Sequence, residues 1–267
     1  MQHYFFILGA PDPEMREIED ILSTRGLGYG FASKKGKRVN SSQAYRASGV
    51  IGTLPKDVQI VFIECDVKDI TPSVRIDHHN PGDPGFDKGP ADYWDGSSLG
   101  QLCQLLEITP TPEQLIIAAA DHCLTHAYAG MCPGVDTEDL AYWRLSNRAR
   151  VQGRALSDVQ KRIQSAISFL LSAPKFKIKE IEVADVGLLE GLTEIGEASA
   201  RLNMPYVYAE IDKEGRLKKG IKGAPAEVIQ HWLDSCNFTR TYGCPARGYA
   251  GAYGPMVKNV EFAKHSI

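Results

Sequence analysis

The stretch Val58–Asn80 reads VQIVFIECDVKDITPSVRIDHHN. It opens with an apolar run, Val58 to Ile63, rich in β-branched residues and ending in Glu64-Cys65-Asp66. A run this short and of this composition reads as a buried strand of a parallel sheet. A second apolar piece, Val74 to Ile76 with Arg75 inside it, leads directly into Asp77-His78-His79. Two expected strands therefore each end in acid or imidazole groups. In open α/β sheets, ligands bind beyond the carboxyl ends of the strands. A carboxylate and two imidazoles delivered there can hold a divalent cation, and Asp77 can orient an imidazole from behind.

Towards the N-terminus, Tyr4 to Leu8 is an expected strand. Gly9-Ala10-Pro11 breaks it, and Asp12-Pro13-Glu14 opens a helix running to about Leu22. Proline and acids in the first turn suit a helix start. Asp12 and Glu14 then lie at the carboxyl end of the first strand, either as a cap and dipole partner or as ligands. Gly26 to Ala32 reads as a turn and a strand. The loop SKKGKR, Ser33 to Arg38, carries four of the chain's 30 Lys and Arg. It is either a solvated turn or a phosphate-attracting lip in which Lys35 and Arg38 take part.

Beyond the two histidines, Pro81 to Trp94 is a Gly/Pro-rich loop, and Ser97 or Ser98 caps the next expected helix. Thr111-Pro112-Glu113 starts another, whose apolar run Leu115 to Ala120 leads into Asp121-His122-Cys123-Leu124-Thr125-His126. An acid after a buried run needs a partner. His122 and His126, four apart, can share a helix face as extra metal ligands or as a hydrogen-bonded pair. Helices are expected over 137–151 and 157–172, the second with capping-box spacing from Ser157 to Gln160.

Ala173 to Lys179 is the expected linker between a domain at 1–172 and a smaller one at 180–267. Past it, strands are expected at 181–186, 206–211 and 217–221, with helices at 193–202 and 225–236 and a hairpin turn at 213–216. The segment TYGCPARGYAGAYGP, 241–255, is rich in glycine around Arg247 and Gly248, and glycines let backbone N–H groups approach an anion.

The 267 residues are 43% hydrophobic, enough for a well-buried core and for two domains. A net charge of −3 supplies no global field to recruit nucleic acid. No run approaches the roughly 18 apolar residues of a membrane span. The N-terminus has no basic stretch ahead of a long apolar one. Six cysteines lack CxxC spacing and read as reduced thiols. A soluble, cytoplasmic protein is expected.

Four clusters thus occur in order: Asp12/Glu14, Asp66, Asp77-His78-His79 and Asp121. That order resembles the DHH phosphoesterase family. The resemblance covers most of the chain. Pro11, Asp12 and Glu14 match part of its first motif, Asp66 the second, Asp77-His78-His79 the third and Asp121 the fourth. LKKGIKG and YGCPARGYAGAYG loosely resemble its associated C-terminal domain. Leu8 stands where the first motif has a histidine, Glu14 replaces an aspartate, and Ala246-Arg247-Gly248 is the nearest stretch to a Gly-Gly-His.

The resemblance implies an α/β fold, with a parallel-sheet N-terminal domain and a smaller α/β C-terminal one. It implies a manganese-dependent phosphoesterase, or one using magnesium or cobalt, with one or two ions per chain. Asp66 would bridge two ions. Glu14, His78 and Asp121 would complete one site, and Asp12 would serve the other, perforce short of a ligand and helped by Asp77. His79 would contact the scissile phosphate and protonate the leaving group. Arg247, Gly248, Lys35 and Arg38 would receive phosphate. The implied substrate is a small nucleotide, a short oligonucleotide or another phosphoester, with no membrane partner; a homodimer is left open. The rival reading is a degenerate member that binds a nucleotide or metal without hydrolysis.

Overall fold

The computed structural model describes residues 4–256 except 190, 192, 213, 214 and 239. It is an α/β protein of two compact units, which part between His122 and Cys123.

In the first unit, strands β1 (Tyr4–Leu8), β2 (Gly28–Lys34), β3 (Lys37–Arg38), β4 (Gly49–Ile51), β5 (Gln59–Ile63) and β6 (Val74–Ile76) form one sheet. Its order is β3-β2-β1-β5-β6, with β4 also on β2. The pairs β2–β1, β1–β5 and β5–β6 are parallel, as the continuous apolar runs predict. Helices α1 (Pro13–Thr24), α2 (Tyr93–Gly96), α3 (Ser98–Leu105) and α4 (Pro112–His122) complete the unit. Asp12 caps α1, accepting from the Met15 N–H at 2.7 Å. Ser97 caps α3, accepting from the Gly100 N–H. Thr111 and Gln114 form a reciprocal capping box on α4, with bonds of 2.9 and 3.2 Å. Phe5, Ile7 and Phe62 pack with Ala32, Val39 and Val67 on one side of the sheet. Their neighbours Phe6, Leu8, Val61 and Ile63 alternate to the other side, equally buried.

The register positions the chemistry. Leu8 pairs with Ile63, and Ile63 with Ile76. The next residue of each strand, Gly9, Glu64 and Asp77, therefore lies along one carboxyl edge.

The second unit starts with α5 (Leu124–Tyr128), α6 (Thr137–Gln152) and α7 (Leu156–Ser172). It continues through β7 (Lys175–Ile178), β8 (Ile181–Leu188), α8 (Ile195–Leu202), β9 (Tyr206–Ile211), β10 (Arg216–Lys222), α9 (Ala226–Ser235), β11 (Arg240–Cys244) and β12 (Tyr249–Met256). The sheet order is β11-β12-β10-β9-β8-β7. Within this sheet, β8–β9 is the only parallel pair among the described strands. Ala166 and Leu170 of α7 and Ala198 of α8 pack on Ala184, Val186, Tyr206 and Tyr208. Val228 and Ile229 of α9 pack with Val183, Ile221 and Ala250.

Three local expectations change. The stretch expected as linker is an antiparallel strand, β7, closed onto β8 by a turn with Lys179 at φ 52°. The compact units part earlier than that stretch, because α7 buries its apolar face against α8, β8 and β9. Ser157 does not cap α7. The helix starts at Leu156 with Ala155 as its cap, in the phase that buries Val159, Ile163 and Leu170. Residues 213 and 214 of the expected hairpin turn lie outside the described residues. No described helix is long and apolar enough to cross a membrane, and none of the six cysteines is in a disulfide.

Candidate metal centre

The site is built at the carboxyl edge of β1, β5 and β6. Glu64 follows Ile63 directly, and its N–H bonds the Ile76 carbonyl at 3.1 Å. Its backbone has φ 50°, a left-handed conformation rare outside glycine and frequent where strain serves a site. Gly9 faces it across the edge. A Cβ at Gly9 would sit 2.3 Å from the Glu64 carbonyl oxygen, so this approach requires glycine. Gly9→Ala is expected to destabilise the protein by about 1–3 kcal/mol and to disturb Glu64. Thermal unfolding and manganese titration of the variant check this; an unchanged pair would contradict it.

Glu64, Glu14, His78 and Asp121 bring one ligand atom each to within 4.8 Å of one another. A second, overlapping group contains Glu64, His78 and His79. Glu14 projects from the first turn of α1, where one oxygen accepts from the Leu99 N–H at 3.0 Å. Its other oxygen is buried without a hydrogen bond. His78 Nε2 lies 3.2 Å from Asp121 and 3.5 Å from Glu64. Asp121 reaches the group from the last turn of α4.

Such a set is unfavourable alone. Burial, then the charges of Asp121 and Glu64, push the Glu14 carboxyl well above its usual range. Burial raises Glu64 to about 8; Asp12 and Asp121 add to the rise against the pull of His79. Burial and Asp121 lift Asp12 to about 6. Three buried or half-buried acids around one imidazole nitrogen, with an orphaned carboxylate oxygen, are a donor set that fits a hard or borderline divalent cation.

Asp77 sits behind these side chains. Its carboxylate accepts from the His78 and His79 N–H groups at 2.7 and 3.1 Å. It also accepts from the Tyr45 hydroxyl at 2.9 Å and faces His79 Nδ1 at 3.1 Å. Burial alone would raise Asp77, but these bonds and the His79 charge hold it below its ordinary value. Burial alone would lower His79. Its bond to Asp77 and the charges of Glu64 and Asp121 more than offset that, raising it to about 9.

The other expected site residues fall into three groups. Asp66 lies outside the cluster. After Glu64 the chain turns to run beside residues 44–47, where the Asp66 backbone bonds Ala44 and Ala47. Its carboxylate meets Arg75 at 2.5 Å and is 48% exposed. Asp12 stays near the cluster as the α1 cap. Leu8 is fully buried in the core.

In the basic loop, Arg38 is engaged structurally. It donates to the Gly9 carbonyl and Glu19 at 3.0 and 3.1 Å and stacks on Phe31. Lys35 is exposed at the β2–β3 turn, with φ 53°.

His122 is buried at the end of α4 and is in neither metal-capable group. Cys123, at φ −155° and ψ 55°, breaks the helix before His126, so the two do not share a helix face. Within the second unit, His126 lies against Gly248, whose added Cβ would come within 3.4 Å of its ring. Burial lowers the His126 pKa. Gly248 has φ 71°, and Arg247 lies over the Tyr249 ring at 5.4 Å.

Sequence reasoning missed Glu64 as the β5 contribution and Tyr45 as a partner of Asp77. The readable signal for Glu64 was its place immediately after the apolar run.

No family model matches the chain, and no curated protein does. Among solved structures it is similar to a pGpG-specific phosphodiesterase, PggH, from Vibrio cholerae. That likeness covers 99% of this chain and 97% of that one, at 7% identity and a TM-score of 0.34. At that level the reading of this chain rests on its own residues.

Proposed function

We propose that this chain is a divalent-cation-dependent phosphoesterase of the DHH type, acting on a small nucleotide or short oligonucleotide. The observation that carries the reading is the convergence of Glu14, Glu64, His78 and Asp121 beside a separately held imidazolium, His79. Those four would hold one cation, manganese being the first to test, with magnesium and cobalt as alternatives. When bound, a divalent ion supplies Lewis acidity, withdrawing charge from phosphate oxygens and acidifying water.

The chain's own residues supply the rest. Asp77, with Tyr45, keeps the His79 ring oriented and protonated at neutral pH. His79 can then neutralise a phosphate oxygen and give its proton to the leaving alkoxide as general acid. Asp12 stands next to the cluster as a partner for a second, weaker ion. Leu8 offers that ion nothing, which favours one tight cation per chain. The second unit supports a nucleotide substrate on its own surface. There Arg216 and Arg240 lie over Tyr253 at 4.8 and 5.4 Å. Aromatic rings beside cations suit bases and phosphates, and Arg247 and Gly248 extend this set.

The test is hydrolysis of a panel of phosphomonoesters, dinucleotides and cyclic dinucleotides with manganese, magnesium or cobalt. Cation-dependent release of phosphate or mononucleotide from at least one substrate is expected. Cation binding with no turnover on any would favour the non-hydrolytic reading, for which Leu8 speaks. His79→Asn is expected to lower kcat by about 10²–10⁴-fold while manganese still binds. Unchanged kcat in that variant would remove His79 from the chemistry.

A further inference from the structure

His122 is buried and outside both metal-capable groups, yet it touches the ligand His78. Its Nε2 lies 2.9 Å from the Lys88 carbonyl oxygen, and its Nδ1 lies 2.9 Å from His78 Nδ1. A carbonyl oxygen only accepts, so His122 Nε2 carries a hydrogen and donates it. In a neutral imidazole the other nitrogen is then an acceptor. His122 Nδ1 therefore accepts from His78 Nδ1–H, and a neutral His78 must keep its lone pair on Nε2. That is the nitrogen facing Glu64 and Asp121 at 3.5 and 3.2 Å.

We propose that His122 is a positioning residue, which reads the Lys88 carbonyl and sets His78 in the Nδ1–H tautomer that leaves Nε2 ready for a cation. Ligating histidines usually take this orientation from a carboxylate, a carbonyl or water. Here a second imidazole relays it from a carbonyl. The site for that imidazole is shaped independently. A Cβ on Gly96 would lie 2.6 Å from His122 Cε1 and 2.7 Å from Nε2, so the ring occupies room that any other residue at 96 would fill.

This inference rests on the cluster's binding a cation, and the experiment separates the two. Nitrogen-15 NMR of histidine-labelled, metal-free full chain is read first. His78 is expected to show a protonated Nδ1, hydrogen-bonded to an unprotonated His122 Nδ1. Manganese and cobalt affinities are then measured by calorimetry for wild type, His122→Phe, His122→Asn and Gly96→Ala. His122→Phe and Gly96→Ala should weaken binding by about 10–100-fold. His122→Asn puts an amide oxygen where Nδ1 stood and should stay within a few-fold of wild type. The cobalt absorption spectrum of His122→Asn should keep the wild-type bands. A metal-free wild type in which the hydrogen between the two rings sits on His122 Nδ1 and His78 Nδ1 is bare overturns the proposal even if His122→Phe fails to fold. Wild-type affinity in His122→Phe also overturns it. A wild type with the expected tautomer that binds neither ion overturns the cation reading of the cluster, and with it the purpose assigned to His122.

Discussion

Glu64→Gln is expected to abolish tight divalent-cation binding and, with it, phosphoester hydrolysis. Glu64 shares both metal-capable groups with His78, so its charge is central to any ion held there. Outer-shell changes already weaken metal binding about 10–100-fold, and loss of a direct carboxylate ligand should exceed about 100-fold. The metal-free protein should respond in the opposite sense. Buried Glu64 is pushed up to about 8 by its surroundings, so a neutral amide relieves a standing penalty. The variant's metal-free melting temperature is expected to equal or exceed that of wild type. Asp66→Asn is the companion variant. The Asp66 side chain is 48% exposed and tied to Arg75, an ion pair of the kind worth about 0–1 kcal/mol. Its manganese affinity should stay within about threefold of wild type. Calorimetric titration and thermal unfolding of both variants measure this. A tight site in Glu64→Gln, or its loss in Asp66→Asn, would return the β5 ligand to position 66.

Glu197→Ala is expected to give the largest loss of stability in the second unit. Its carboxylate is buried and bonded by Arg144 and Arg201, each at 2.9 Å, and by the Tyr128 hydroxyl. Removing one partner of such a group leaves buried charge uncompensated, typically at about 3–5 kcal/mol. For a chain this size that corresponds to about 6–20 °C in melting temperature. Replacing Arg144, Glu197 and Arg201 together by apolar residues should cost less than Glu197→Ala alone. Burial alone would raise the Glu197 carboxyl, but Arg144, Tyr128 and Arg201 hold it below its usual value. A depressed folded pKa means that the unfolded state binds the proton first. The contribution is therefore fully present above about pH 4.3 and is lost as pH falls through the folded value. Melting temperatures between pH 3 and pH 7 should fall more steeply on the acid side for wild type than for Glu197→Gln. Parallel curves would deny Glu197 this role.

The parallel sheet was legible because β1 and β5 are short runs of mainly apolar residues that bury both faces, with β6 a shorter piece of the same kind around Arg75. β5 and β6 also lead directly into acid or imidazole groups. Glu14, His78 and Asp121 were picked out because each lies at or just beyond an end of a regular element whose direction is fixed. Glu64 was not singled out, because choosing between Glu64 and Asp66 depends on register and on one positive φ. Strand pairing with β6 and the left-handed turn at Glu64 send Asp66 to Arg75, and no local pattern encodes that. The strand β7 was hidden by lysines alternating with Phe176 and Ile178, a composition that also suits a linker. His122 and His126 looked like a helical pair because spacing carries no sign of the break at Cys123.

Glu14, Glu64, His78 and Asp121 are proposed to hold one divalent cation together. The most direct measurement is anomalous scattering from crystals of the full chain grown with manganese. One strong peak is expected, within ligand distance of those four side chains. A principal peak on Asp66, or none in crystals grown at saturating manganese, would contradict the account.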